Sequence, residues 1–90
     1  MNRLKEIFLH FGIENQKKKL IEECSELITA ICKNDEDNIV EEMADAELVI
    51  SEFKAFYPEI EKSIEKTKQI KTNRTIERIK EKYYEKEMEG

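Results

Sequence analysis

Ninety residues allow one domain at most, and a chain of that length buries only a thin core by itself. Hydrophobic residues make up 39% and aromatics only 8%, so few large side chains are there to hide, and self-association is expected to complete the core. Sixteen basic against 21 acidic residues leave a net charge of −5, which argues against a dedicated nucleic-acid binder and its basic surface. Charged residues are 41% of the chain, but apolar periodicity runs through them, as on the solvated faces of helices.

One proline and two glycines leave little to interrupt helices, so the expected class is all-α, a small bundle of four to five helices within a single domain over residues 1–90. Leu4, Ile7, Phe8 and Phe11 recur at helical spacing and predict a short first helix ending near Gly12. The only histidine, His10, lies off that stripe and is expected to be exposed. Asn15 is a candidate cap for a second helix from about Gln16 to Lys33, with Leu20, Cys24, Leu27, Ile28 and Ile31 inward. The polar run Asn34 to Asn38 reads as a turn with Asp37 as a candidate N-cap. A third helix then runs from about Asn38 to Phe56, with Ile39, Met43, Ala46, Ile50 and Phe53 inward.

Pro58 ends that helix and can open a fourth. In this last segment the apolar face changes, from Ile60 and Ile64 to Ile76, Ile79 and Tyr83. Either one helix is buried on two sides by different partners, or it breaks near Thr72–Thr75, where Asn73 or Thr75 would cap a new start. The tail Glu85–Gly90 is expected to fray.

Cys24 and Cys32 lie eight residues apart on one predicted helix, about 12 Å, too far for a disulfide between them. Buried, reduced thiols are expected, in keeping with a cytoplasmic location. No long apolar run suggests a signal peptide or a membrane span, so no membrane partner is expected.

The chemistry lies in the placement of certain acids. At about 100° per residue with Glu42 at zero, the apolar residues of the third helix fall roughly between −40° and +100°. Glu42 is inside that arc and Asp45, at about −60°, is on its edge, whereas Glu41 and Glu47 point away. Glu23 and Glu26 border the apolar stripe of the second helix, with Glu22 further out. Each pair has i,i+3 spacing, which sets its two side chains on one face, and two such helices packed antiparallel would converge four carboxylates on one point. An unpartnered carboxylate costs several kcal/mol to bury, so something positive must compensate. Hard oxygen ligands suit Mg²⁺ or Mn²⁺ rather than zinc. The plainer alternative is chance, because ExxE spacings are common in so acidic a chain.

If the last helix is continuous, Lys71, Arg74 and Arg78 carry the Ile60–Ile64 stripe forward as a basic row. Such a row suits the oxygens of a polyphosphate, and equally a set of surface ion pairs with the many glutamates. No arrangement for nucleophilic catalysis and no glycine-rich phosphate loop stands out.

These residues carry a resemblance. Gly12 to Gln16, followed by Lys19 to Leu27, resembles the opening helix of MazG-like nucleotide pyrophosphohydrolases, the all-α NTP pyrophosphatases. Their signature, ExxE then ExxD, reads here as Glu23 and Glu26, 15 intervening residues, then Glu42 and Asp45. The stretch Lys71 to Arg78 is similar to the basic segment of the compact members, so the likeness covers about residues 10 to 80. It implies Mg²⁺-dependent cleavage of nucleoside triphosphates between the α and β phosphates, giving a monophosphate and pyrophosphate. It further implies that Glu23, Glu26, Glu42 and Asp45 ligate the metal and that Lys71, Arg74 and Arg78 contact phosphate. Gln16 would reach the base or sugar, and Glu22 would support the ligands. A homodimer or homotetramer with a four-helix core built from two chains is implied too. Two other functions fit the same pattern: phosphoribosyl-ATP pyrophosphohydrolase, and a non-catalytic helical oligomerisation module.

Overall fold

The computed structural model describes residues 2–89, with side chains described through Lys82. It is all-helical: α1 spans Arg3–Phe11, α2 Ile13–Cys32, α3 Glu36–Phe56 and α4 Pro58–Glu89. The chain divides into two compact units, Met1–Pro58 and Glu59–Gly90.

Within the first unit, each helix end has a local cause. Asn2 caps α1, its side chain accepting from the Leu4 N–H at 2.9 Å. Gly12 separates α1 from α2 at φ 81° and ψ 160°, a backbone region that is essentially glycine's own. Its N–H donates to the Phe8 carbonyl at 2.9 Å and closes α1, so α2 starts at once, at Ile13. The start is thus earlier than the expected Gln16, and Asn15 is no cap: its amide donates to the Phe11 carbonyl one turn back.

Helix α2 ends on Asn34 at φ 56°, a left-handed position that asparagine tolerates. The N–H of Asp35 reaches the Ala30 carbonyl and that of Asn34 reaches Ile31, so the exposed carbonyls of the last turn are satisfied. Asp35, rather than Asp37, then caps α3 by accepting from the Asn38 N–H at 3.3 Å. So short a turn sends α3 back along α2. Gln16 meeting Glu52 and Glu26 meeting Glu42 show the antiparallel register, since both pairs sum to the same number.

The core of this unit is small. Phe8, Ala30, Ala46 and Val49 are buried. Phe8 stacks on Phe56 at 4.5 Å between ring centroids and meets Phe53 and Tyr57 edge-on, which ties α1 to the end of α3. Ile28 and Ile31, expected inward, are exposed, and so is Met43. Cys24 and Cys32 are also exposed rather than buried. Within the first unit α2 packs against α1 and α3, and Ile21, Ile28 and Ile31 stay exposed.

In the second unit, α4 is one unbroken helix of 32 residues, about 48 Å long. There is no break at Thr72–Thr75: the Thr75 hydroxyl donates to the Lys71 carbonyl at 2.9 Å, inside the helix rather than capping a new one. The helix continues to Glu89 instead of fraying from Glu85. Gly90 and the Tyr83 side chain lie outside the described residues. Among the described residues no helix is long and apolar enough to cross a membrane.

Candidate metal centre

Antiparallel packing sets the acidic turn of α2 against that of α3. One carboxylate oxygen from each of Glu23, Glu26 and Glu42 lies within 4.8 Å of the other two. Glu23 is 4% exposed, Glu42 half-buried and Glu26 exposed, so the group grades from the core to solvent. Octahedral coordination at 2.0–2.1 Å needs ligand oxygens about 3–4 Å apart, so small side-chain rotations would close this triad on a cation.

Among the described residues, Glu23 Oε2 and Glu42 Oε2 are buried with no hydrogen-bond partner. Unpaired buried acceptors are costly, and a divalent cation is the group that several converging carboxylates would satisfy together. The strain also shows in protonation. Glu42 is pushed up to about 7, first by burial, then by a hydrogen bond with Glu26 and by the charges of Glu26, Asp45 and Glu23. The donor set is all oxygen, which fits a hard cation such as Mg²⁺ or Mn²⁺.

Lys19 supplies a positive charge at the centre. Its Nζ donates to Glu23 Oε1 at 2.9 Å from one turn earlier in α2. The bond and the charge of Glu23, with lesser contributions from Glu22 and Glu26, raise the Lys19 pKa.

Asp45 stands outside the triad. It is half-buried one turn beyond Glu42, and with Glu23 it lines a neighbouring cleft of about 460 Å³. The walls of this cleft come from α1 (Ile7, Phe11), α2 and α3 (Leu48, Val49). Gln16 is buried in it and donates to Glu52 Oε1 at 2.6 Å. Lys71, Arg74 and Arg78 are exposed and share one face of α4, in the second unit. Glu22 is exposed on α2. His10 is exposed, its ring edge-on to Phe11.

Glu52 and Lys19 were not singled out from the sequence. Glu52 lies two turns beyond Asp45 on the same edge of the apolar arc, so the signal that selected Asp45 also marked it. Lys19 stands four residues before Glu23, the spacing of a helical ion pair.

No curated protein and no solved structure is a significant match to the chain. The family model described as the MazG nucleotide pyrophosphohydrolase domain matches residues 11–89, taking in both carboxylate pairs and the basic face of α4. With nearly its whole length matched and a carboxylate triad where α2 and α3 meet, the chain belongs to the MazG nucleotide pyrophosphohydrolase family.

Proposed function

We propose that this protein is a Mg²⁺-dependent pyrophosphohydrolase that cleaves nucleoside triphosphates between the α and β phosphates, releasing a monophosphate and pyrophosphate. The observation that carries the reading is the triad of Glu23, Glu26 and Glu42, with two buried oxygens that lack any partner. Mn²⁺ would serve the same oxygen ligands. A role in clearing unwanted nucleotides from the pool follows naturally from such an activity.

Glu23, Glu26 and Glu42 would hold the cation, with Asp45, one turn on, as a fourth ligand. A divalent cation bound there would offset polyphosphate charge and make water a better nucleophile at neutral pH. Lys19 holds Glu23 in place at the centre through their 2.9 Å ion pair. One of the carboxylates accepts the proton of the attacking water, and Glu22 supports the ligand turn from outside. Lys71, Arg74 and Arg78 bind the phosphates, where arginine's paired donors suit oxygens that gain charge as pyrophosphate leaves. Gln16 contacts the base or sugar.

We also propose that the two units together form one domain, a reading that the family match across both supports. The assembly is a homodimer or homotetramer, because Ile21, Ile28 and Val40 are more than 60% exposed on α2 and α3. A second copy placed on them would build a four-helix core from two chains. The acidic charge fits no nucleic-acid partner, and the location is cytoplasmic.

The test is pyrophosphate release from a panel of ribo- and deoxynucleoside triphosphates, with and without Mg²⁺. Release that needs Mg²⁺ and is lost in Glu42→Gln supports the reading. A panel without release, together with a melting temperature indifferent to Mg²⁺, overturns it in favour of a non-catalytic helical module.

A further inference from the structure

The buried pair Gln16 and Glu52 has no part in holding the carboxylate triad, yet it closes the far end of the neighbouring cleft. The two residues are 2% and 4% exposed, and because both line the cleft, the surface they retain opens into it. Glu52 Oε1 accepts from Gln16 Nε2 at 2.6 Å. Among the described residues neither side chain has another hydrogen-bond partner. A carboxylate can accept about four bonds, and the Gln16 amide keeps one N–H and its carbonyl oxygen. The pair therefore offers the cleft more acceptors than donors, and a ligand group that meets it is matched by hydrogen-bond donors, N–H or O–H.

Shape narrows the choice. Ile7, Phe11, Leu48 and Val49 give the cleft apolar walls suited to a flat heteroaromatic ring rather than a polar sugar. Its other end is bordered by Glu23 and Asp45 at the candidate metal centre. Gln16 and Glu52 each lie seven residues from those acids on their own helices, about 10 Å away, a separation on the scale of one nucleoside.

We infer that Glu52, held by Gln16, selects nucleotides whose base carries an amino group where uracil and hypoxanthine carry a carbonyl, as adenine and cytosine do. This deepens the nucleotide reading above and rests on it. A base with a carbonyl in that position sets an acceptor against the carboxylate, and its ring N–H, one atom away, meets Glu52 only if the base shifts within the cleft. Glu52 is a specificity residue and is not part of the bond-breaking machinery.

The experiment is calorimetric binding, with Mg²⁺, of paired non-hydrolysable α,β-methylene triphosphates: deoxycytidine against deoxyuridine, and adenosine against inosine. The amino member of each pair should bind at least about 10-fold more tightly, as expected where a site is built to pair a polar group. Glu52→Gln can turn either a donor or an acceptor to the base, so the preference should shrink in that variant. Equal binding within both pairs, no binding of any analogue, or an unchanged preference in folded Glu52→Gln overturns the inference. The wild-type comparison decides by itself if the variant does not fold. Hydrolysis of the parent triphosphates is measured in parallel. An amino preference without pyrophosphate release removes the catalytic reading and leaves the base-selection site; release without a preference does the opposite.

Discussion

Lys19 donates to one oxygen of Glu23 at 2.9 Å, while the other oxygen of the same carboxylate is buried and has no hydrogen-bond partner among the described residues. The lysine thus satisfies half of a buried acid and leaves the other half without a donor. Lys19→Met keeps the length of the side chain and removes its charge. The melting temperature in EDTA should fall by a few degrees, and saturating Mg²⁺ should recover much of the loss by binding the folded state. Equal losses with and without Mg²⁺ would show that Lys19 has no bearing on the centre. Thermal unfolding in the two buffers makes the comparison.

Glu42 gives the metal-free protein a definite pH dependence. Its carboxyl holds a proton up to about 7 in the folded state and only to its ordinary 4.5 when unfolded. Between those values the folded state binds the additional proton, so this group's contribution to stability is present at low pH and is lost as pH rises through about 7. Metal binding needs the ionised carboxylate, so stabilisation by Mg²⁺ should grow across the same window. Melting temperatures in EDTA and in Mg²⁺ from pH 5 to pH 8 test both slopes. Glu42→Gln should flatten them.

Gly12→Ala should destabilise the first unit by about 1–3 kcal/mol, the usual cost of forcing a side chain into a glycine-only backbone region. Crowding is not the cause, because a Cβ at Gly12 would have no neighbour within 4 Å. The penalty is conformational, so Gly12→Ser should cost about as much as Gly12→Ala. Urea unfolding of the two variants measures this, and a penalty that rises with side-chain size would contradict it.

Ile28 is 62% exposed in the single chain. If a second copy covers this face, the wild type should sediment as a dimer or tetramer and Ile28→Glu as a monomer, because a buried unpaired charge is too costly to retain. Sedimentation velocity decides it. A wild type that is monomeric at high concentration would show that the face has no such partner.

Much of the fold was legible because helix periodicity and punctuation are local. Phe8 and Phe11 marked α1, Gly12 its end, and Pro58 the start of α4, since each acts through its own backbone or the turn beside it. Boundaries that depended on choosing among several capping residues moved by a few positions. Asp35 and Asp37 are chemically equal candidates, and Asp35 became the cap because Asn34 could adopt the left-handed turn before it.

The carboxylates show where local reasoning stops. Spacing placed Glu23 with Glu26 and Glu42 with Asp45, each on one helical face. Periodicity yields an angle around a helix axis, but it does not say how far one helix slides along another. The turn at Lys33–Asp35 settles that slide, bringing Glu42 to Glu23 and Glu26 while leaving Asp45 in the cleft. It also brings Glu52 to Gln16 across 36 residues, a pairing with no sequence signature. Burial is collective in the same way: Cys24, Cys32 and Ile28 were expected inward on an apolar stripe, yet the packing of the first unit leaves them exposed. By itself the sequence determined an all-α fold of four or five helices and the acids on or beside their apolar faces. Only the packing of α2 against α3 decided which of those acids share a cation's reach, because that depends on a register that no single helix contains.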